Sequence, residues 1–121
     1  MSCLFQSLSN FFRDIDENTL RNQICDYLEK NPKIFNDMDT NQITIFESDM
    51  SLPEYVSKMR HPSTWGGALE IIAFCEIFNI DVVVHFQNRE IEFLPKNKSL
   101  ITLHLNYNGN HYTPLSVIQK S

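Results

Sequence analysis

The segment Ala68-Leu69-Glu70-Ile71-Ile72-Ala73-Phe74-Cys75-Glu76-Ile77-Phe78-Asn79-Ile80-Asp81-Val82-Val83-Val84-His85-Phe86 changes its hydrophobic period midway. As far as Phe78 it is apolar nearly all round, which predicts a helix buried in the centre of a domain. Asn79 is a helix stop, because asparagine tolerates the left-handed backbone that ends helices. From Ile80 to Phe86 the β-branched run Val82-Val83-Val84 predicts a strand. Trp65, Gly66 and Gly67 lead into the helix, and the glycines permit close approach of the backbone.

C-terminal to this pivot the pattern is all strand. Gln87-Asn88-Arg89 predicts a tight turn, Glu90 to Leu94 a partner strand, and Ser99 to Tyr107 an alternating third strand, together a meander. Asn108-Gly109-Asn110 predicts a hairpin turn, and His111 to Val117 a final strand that Pro114 confines to an edge or a bulge. N-terminal to the pivot the pattern is helical. Leu4, Phe5, Leu8, Phe11 and Phe12 form one stripe of a helix over residues 3 to 13, and Leu20, Ile24, Tyr27 and Leu28 form another that ends before Pro32. Ser51 reads as an N-cap, with Pro53 in the first turn and Glu54 three residues after the cap, starting a short helix to about Met59. Residues 34 to 50 lack a clear period and are expected to be loop with at most one turn. Helices first and sheet second predict an α+β class, a small mostly antiparallel sheet packed against helices, in one domain over residues 1–121.

The composition excludes several roles. Ten basic against fifteen acidic residues give a formal net charge of -5, without the cationic excess that phosphate neutralisation requires, so nucleic acid is not an expected partner. No apolar run approaches the roughly 20 residues that span a bilayer, and the first residues lack a secretory pattern, so a soluble cytoplasmic monomer is expected. The abundance of Asn, Ile, Phe and Lys fits an AT-rich genome such as that of a virus or intracellular bacterium. The three cysteines, at positions 3, 25 and 75, have no Cys-x-x-Cys spacing and are expected to be reduced thiols without zinc.

Two residues at opposite ends of the chain carry candidate chemistry. Cys3 opens a helix, where the backbone dipole and free N–H groups favour a thiolate, and His111 follows a turn near the other end. An imidazole within hydrogen-bond reach of such a thiol makes it nucleophilic, the arrangement of thiol proteases. The other candidates have plainer readings. Cys25 and Cys75 sit among apolar residues as core thiols. His85 and His104 lie within strands without metal-ligand spacing, and His61 lies in a polar turn. Trp65, followed by two glycines at a helix start, is expected to pack structurally rather than to serve as a ligand-stacking platform.

Three ordered blocks resemble the ovarian-tumour (OTU) family of cysteine proteases. Cys3-Leu4-Phe5-Gln6-Ser7-Leu8-Ser9 is similar to the family's nucleophile block, Trp65-Gly66-Gly67-Ala68-Leu69-Glu70 to its Trp-Gly-Gly helix, and Gly109-Asn110-His111-Tyr112 to its terminal His-Tyr step. The resemblance implies an OTU-like fold, Cys3 as nucleophile, His111 as base, ubiquitin or a ubiquitin-like modifier as partner, and no metal or organic cofactor. It implies a narrow channel for a Gly-Gly tail, with Trp65, Gly66, Gly67 and Tyr112 as substrate-binding candidates and Glu47 and Asp49 as carboxylates for basic residues. Two departures stand out. Only Met1 and Ser2 precede Cys3, so the family's Asp-Gly-polar turn, which supplies oxyanion donors, is not in this sequence. Where many members carry Asp or Asn two residues after the histidine, this chain has Thr113, leaving Thr113 or a neighbouring amide (Asn110 or Asn108) to orient the imidazole, or Cys3 and His111 to act as a dyad. The expected activity is isopeptidase cleavage. A binding module without catalysis and a polyprotein-cleaving protease are the alternatives.

Overall fold

Helix α5 (Ala68–Phe78) is the centre of the protein, seen here in a computed structural model that describes residues 3–120. Its Ile71, Ala73, Phe74 and Cys75 are buried, as an all-round apolar helix requires. The Glu70 carboxylate accepts the Gly67 N–H at 2.7 Å and so satisfies a free donor at the helix start. At the far end Asn79 adopts the left-handed conformation, φ 54°, and the chain turns directly into β3 (Asp81–Phe86).

The helical half comprises α1 (Cys3–Ser9), α2 (Glu17–Glu29), α3 (Thr40–Ser48) and α4 (Leu52–Met59). Ser51 caps α4 as expected, accepting the Glu54 N–H. Helix α1 is shorter than its apolar stripe suggests. The chain leaves helical geometry at Asn10, and Phe12 then lies 4.9 Å from the Phe78 ring and edge-on to Phe74 at 6.0 Å. Packing of Phe12 on α5 overrides continuation of the stripe.

The segment expected to be loop is ordered. β1 (Lys33–Phe35) and β2 (Met38–Asp39) form an antiparallel hairpin that leads into α3. Asp39 accepts the Gln42 N–H at 2.8 Å and the Gln42 side chain accepts the Asp39 N–H at 2.9 Å, a complete capping box. Its apolar residues obscure the period because they are not a core stripe: Ile45 and Phe46 face outward, Phe46 at 81% exposure.

β4 (Arg89–Phe93), β5 (Ile101–Tyr107) and β6 (Tyr112–Gln119) complete a sheet in the order β4-β3-β5-β6. The meander is not formed, because β5 pairs in parallel with β3 and leaves β4 at an edge. This pairing sets Leu103 beside Val82 and Leu105 beside Val84, all four buried. Next to β4, whose residues are mostly exposed, the two leucines would lose that burial, about 1.5–3 kcal/mol each. The crossing from β4 to β5 is tied down where Glu76 accepts the Lys96 N–H and the Asn79 side chain donates to the Lys98 carbonyl. The sheet remains mostly antiparallel, since β3/β4 and β5/β6 both run so. β6 is both an edge strand and bulged: Pro114 faces Leu105 while Ser116 faces His104, so Leu115 has no partner.

Candidate active site

The first and last elements of the fold meet at Cys3. Leu4, Phe5 and Leu8 anchor α1 in the core, and Ser7 Oγ donates to the Tyr112 carbonyl at 2.9 Å, fixing the helix to the start of β6. Cys3, the first residue of α1, is thereby left half-exposed. Its S–H faces the Asn110 carbonyl at 3.9 Å and the Tyr112 N–H donates to the sulfur at 3.4 Å. The sulfur therefore lies against the backbone on both sides of His111.

The His111 turn is built by Asn108. Its Oδ1 accepts the N–H groups of Asn110 and His111, both at 2.8 Å, and its own N–H donates to the His111 carbonyl. Gly109 takes φ +102°, a conformation that favours glycine, and its carbonyl accepts the Tyr107 hydroxyl at 2.9 Å. The imidazole lies 6.4 Å from the Trp65 ring, centroid to centroid. Trp65 is 59% exposed and, with Gly66, Gly67, Tyr55 and Glu70, lines a recess of about 300 Å³.

The remaining cysteines are set apart by burial. Cys25 is pushed up to about 11 and Cys75 to about 12, in each case chiefly because the interior disfavours a thiolate. Both stay protonated at neutral pH, as the core reading expects.

A model of the OTU-like cysteine protease family matches residues 2–112. The chain belongs to that family. Among curated proteins, the OTU domain-containing protein 2 of Saccharomyces cerevisiae is 26% identical over 129 residues, which cover 93% of this chain and 41% of that protein. The chain thus spans about two fifths of the length of that relative. Solved structures of similar fold include an ovarian tumour (OTU) domain in complex with ubiquitin, at TM-score 0.76 and 24% identity, covering 96% of this chain and 64% of that one. The Hazara virus OTU bound to ubiquitin matches at TM-score 0.72 and 21% identity over 98% of this chain and 76% of that one. An OTU deubiquitinase from Wolbachia pipientis wMel bound to ubiquitin matches at 0.62 and 19%, over 98% and 90%.

Within this OTU frame the candidate residues separate. Cys3, Asn110, His111 and Tyr112 converge. Met1 and Ser2, which stand where the family has its Asp-Gly-polar turn, lie outside the described residues. Thr113 is exposed opposite Asn106 on β6, and no hydrogen bond joins its hydroxyl or the Asn110 amide to the imidazole. The Tyr112 ring turns inward and stacks on Tyr107 at 4.4 Å, with its hydroxyl pushed up to about 12 by burial and the neighbouring Tyr107. Glu47 borders an apolar groove of about 660 Å³ formed by Ile34, Phe35, Ile43, Phe46, Leu69 and Ile72. This groove adjoins the Trp65 recess through Ser48, Tyr55, Ala68 and Leu69. Asp49 is the left-handed C-cap of α3, φ 54°, and lines neither recess.

Several features escape sequence reading. Tyr55 donates to Glu70 Oε2 at 2.5 Å beneath the Trp65 recess; Glu70, three residues after the N-cap glycine, was the visible half of that pair. Arg21 is fully buried against Phe5. His85 and His104 meet on adjacent strands, Nε2 to Nδ1 at 2.9 Å, with Glu90 3.6 Å from His85 Nδ1. Only the parallel register brings those two rings together, and no group of three or more His, Cys, Asp or Glu among the described residues is arranged to hold a metal.

Proposed function

We propose that this chain is a thiol-dependent deubiquitinase, an isopeptidase that removes ubiquitin or a ubiquitin-like modifier. The observation that supports the reading best is the seating of the Cys3 sulfur between the Asn110 carbonyl and the Tyr112 N–H, the two neighbours of His111, in a chain of a cysteine protease family. In this mechanism His111 takes the Cys3 proton and the thiolate attacks the carbonyl of the modifier's terminal glycine. His111 then protonates the leaving lysine amine, and water hydrolyses the thioester to free the enzyme. The Tyr112 N–H, already directed at the sulfur, lowers the cost of its negative charge. Asn110 and Thr113 remain the proposed orienting groups, and a dyad of Cys3 and His111 is the minimal form.

For recognition, the modifier's tail would pass Trp65, Gly66 and Gly67, and its body would cover the apolar groove beside α3. The carboxylates of Glu47 and Asp49 would meet basic residues. An overall charge of -5 favours a basic partner surface by long-range attraction. We place the protein in the cytoplasm, including that of a host cell, acting as a monomer without cofactor.

A second reading, binding without cleavage, draws on one observation: the hydrogen bonds of the Cys3 sulfur run to backbone groups and not to the imidazole. Apo enzymes often hold such contacts loosely until substrate arrives. The deciding experiment treats the protein, Cys3→Ala and His111→Ala with ubiquitin carrying a C-terminal electrophile and reads adducts by mass spectrometry. An adduct on Cys3 that requires His111 is expected. Binding without an adduct supports the second reading, and neither binding nor adduct refutes the ubiquitin assignment. Cleavage of peptide panels in place of ubiquitin would identify a polyprotein protease.

A further inference from the structure

Arg21, on α2, is 1% exposed. Its Nη1 donates to the Met59 carbonyl at 2.7 Å and its Nη2 to the Pro62 carbonyl at 3.1 Å, while the guanidinium carbon lies 4.1 Å from the centroid of the Phe5 ring. Its Nε is buried without a partner. Burying a cation against neutral carbonyls costs stability relative to an apolar side chain of the same volume. Burial accordingly lowers the Arg21 pKa, although a guanidinium keeps its proton regardless. A core needing only volume at this place would be better served by leucine or methionine.

What the guanidinium does obtain is a connection among three segments. Phe5 is two residues beyond Cys3 and has no exposed surface. The Met59 and Pro62 carbonyls flank the turn that leads to Trp65 and Gly66. Gly66 in turn meets α1 directly, since a Cβ placed on it would fall 2.8 Å from Leu4 Cδ2 and 2.9 Å from Phe5 Cε2. The Phe5 ring is therefore held by Arg21 and by the Gly66 backbone, and Arg21 holds the segment that carries Gly66. Trp65, immediately before Gly66 in the chain, has its ring 6.4 Å from the imidazole of His111, centroid to centroid.

We propose that Arg21 is a positioning residue for the Cys3–His111 site, a buried clamp that holds the nucleophile's helix against the Trp65-Gly66 segment. The inference rests on the reading of Cys3 as nucleophile. Only arginine meets both demands, because its fork reaches two carbonyls while its flat face covers a ring. Lysine keeps the charge and loses the fork, so it does not rescue.

The test uses Arg21→Lys, Arg21→Met and Phe5→Leu, each confirmed folded by circular dichroism at the assay temperature. On a ubiquitin substrate with a fluorescent leaving group, kcat is expected to fall about 10- to 100-fold with KM nearly unchanged, the loss expected for a reacting group displaced by about 1 Å. A purely structural role would lower the melting temperature and leave kcat of the folded protein intact, which overturns the proposal. Iodoacetamide alkylation of Cys3, which needs no ubiquitin, supplies a second readout. His111→Ala should slow alkylation in the wild-type background and have little further effect in the Arg21→Lys background, because the coupling is already lost. Independent, multiplying effects overturn the clamp while the catalytic reading stands. Alkylation insensitive to His111 in the wild type overturns both. Phe5→Leu, which keeps apolar bulk and loses the ring, carries the same comparison should the arginine variants not fold.

Discussion

A single methyl group added at Gly66 tests the closest packing in the site. In Gly66→Ala the new Cβ would stand 2.8 Å from Leu4 Cδ2, 2.9 Å from Phe5 Cε2 and 3.1 Å from Phe5 Cζ. Carbon atoms prefer about 3.5–4.0 Å, so the overlap is roughly 0.7 Å with side chains that are themselves buried. Overpacking of this kind costs about 1–3 kcal/mol, and restricting the unfolded chain by replacing glycine returns about 0.4–1 kcal/mol. A net loss of about 1–2 kcal/mol results. For 121 residues the unfolding entropy is about 250 cal/mol/K, so the melting temperature should fall by about 4–8 °C. Gly67→Ala is the matched control, because nothing lies within 4 Å of its added Cβ. The smaller N-cap preference of alanine and the entropic return nearly cancel there, leaving a shift within about 2 °C. Scanning calorimetry of the two variants decides the matter. Equal shifts, or no shift in Gly66→Ala, would show that α1 does not press on Gly66 and would refute the packing argument.

Tyr55→Phe removes the donor to the buried Glu70 carboxyl and should cost about 1.5–3 kcal/mol in urea unfolding. Burial raises the Glu70 pKa above 4.5, outweighing the hydrogen bonds from Tyr55 and Gly67. The folded state therefore binds more protons than the unfolded state, and this group's contribution is full below pH 4.5 and declines as pH rises through the folded value. Glu70→Gln should flatten that decline in a pH series of urea midpoints, and a parallel series would contradict it. Asn108→Ala frees the His111 turn and should slow adduct formation by about tenfold, whereas Asn108→Asp, which keeps the acceptor, should restore most of the rate; equal losses would deny the turn its role. Iodoacetamide at pH 8 under native conditions should label Cys3 alone, since burial holds Cys25 near 11 and Cys75 near 12; a second native adduct found by mass spectrometry would contradict their core placement.

Local chemistry made much of the architecture readable. The Ser51 cap, the Asn79 stop and the Gln87-Asn88 turn each act within a few residues, and all three appear as expected, the turn with positive φ at both residues. Helix α3 was obscured because Ile43 and Phe46 border a surface groove and Ile45 is exposed, so hydrophobic periodicity, which reports burial in a core, carried the wrong message. The capping box at Asp39 and Gln42 was the better signal. The place of β5 could not be read locally, since it is decided by which side of β3 offers buried partners to Leu103 and Leu105. The convergence of Cys3 with the His111 turn was legible as a pair of residue types in a family pattern. The means of holding them together were not, because the role of Arg21 exists only once α1, α2 and the 59–66 segment share one interior.

Because α1 opens the fold and β6 closes it, the contacts at the Cys3 sulfur join residues 107 and 109 positions apart. Loop closure of that length comes late in folding, after the local helices and hairpins have formed. A chain still emerging from the ribosome carries its thiol long before it possesses the His111 turn, and the pair exists only once Tyr112 has been made and β6 has found β5. The contacts of the sulfur thus form only after β6 has docked, and a fluctuation that frees α1 or β6 would break them while leaving the helical centre intact.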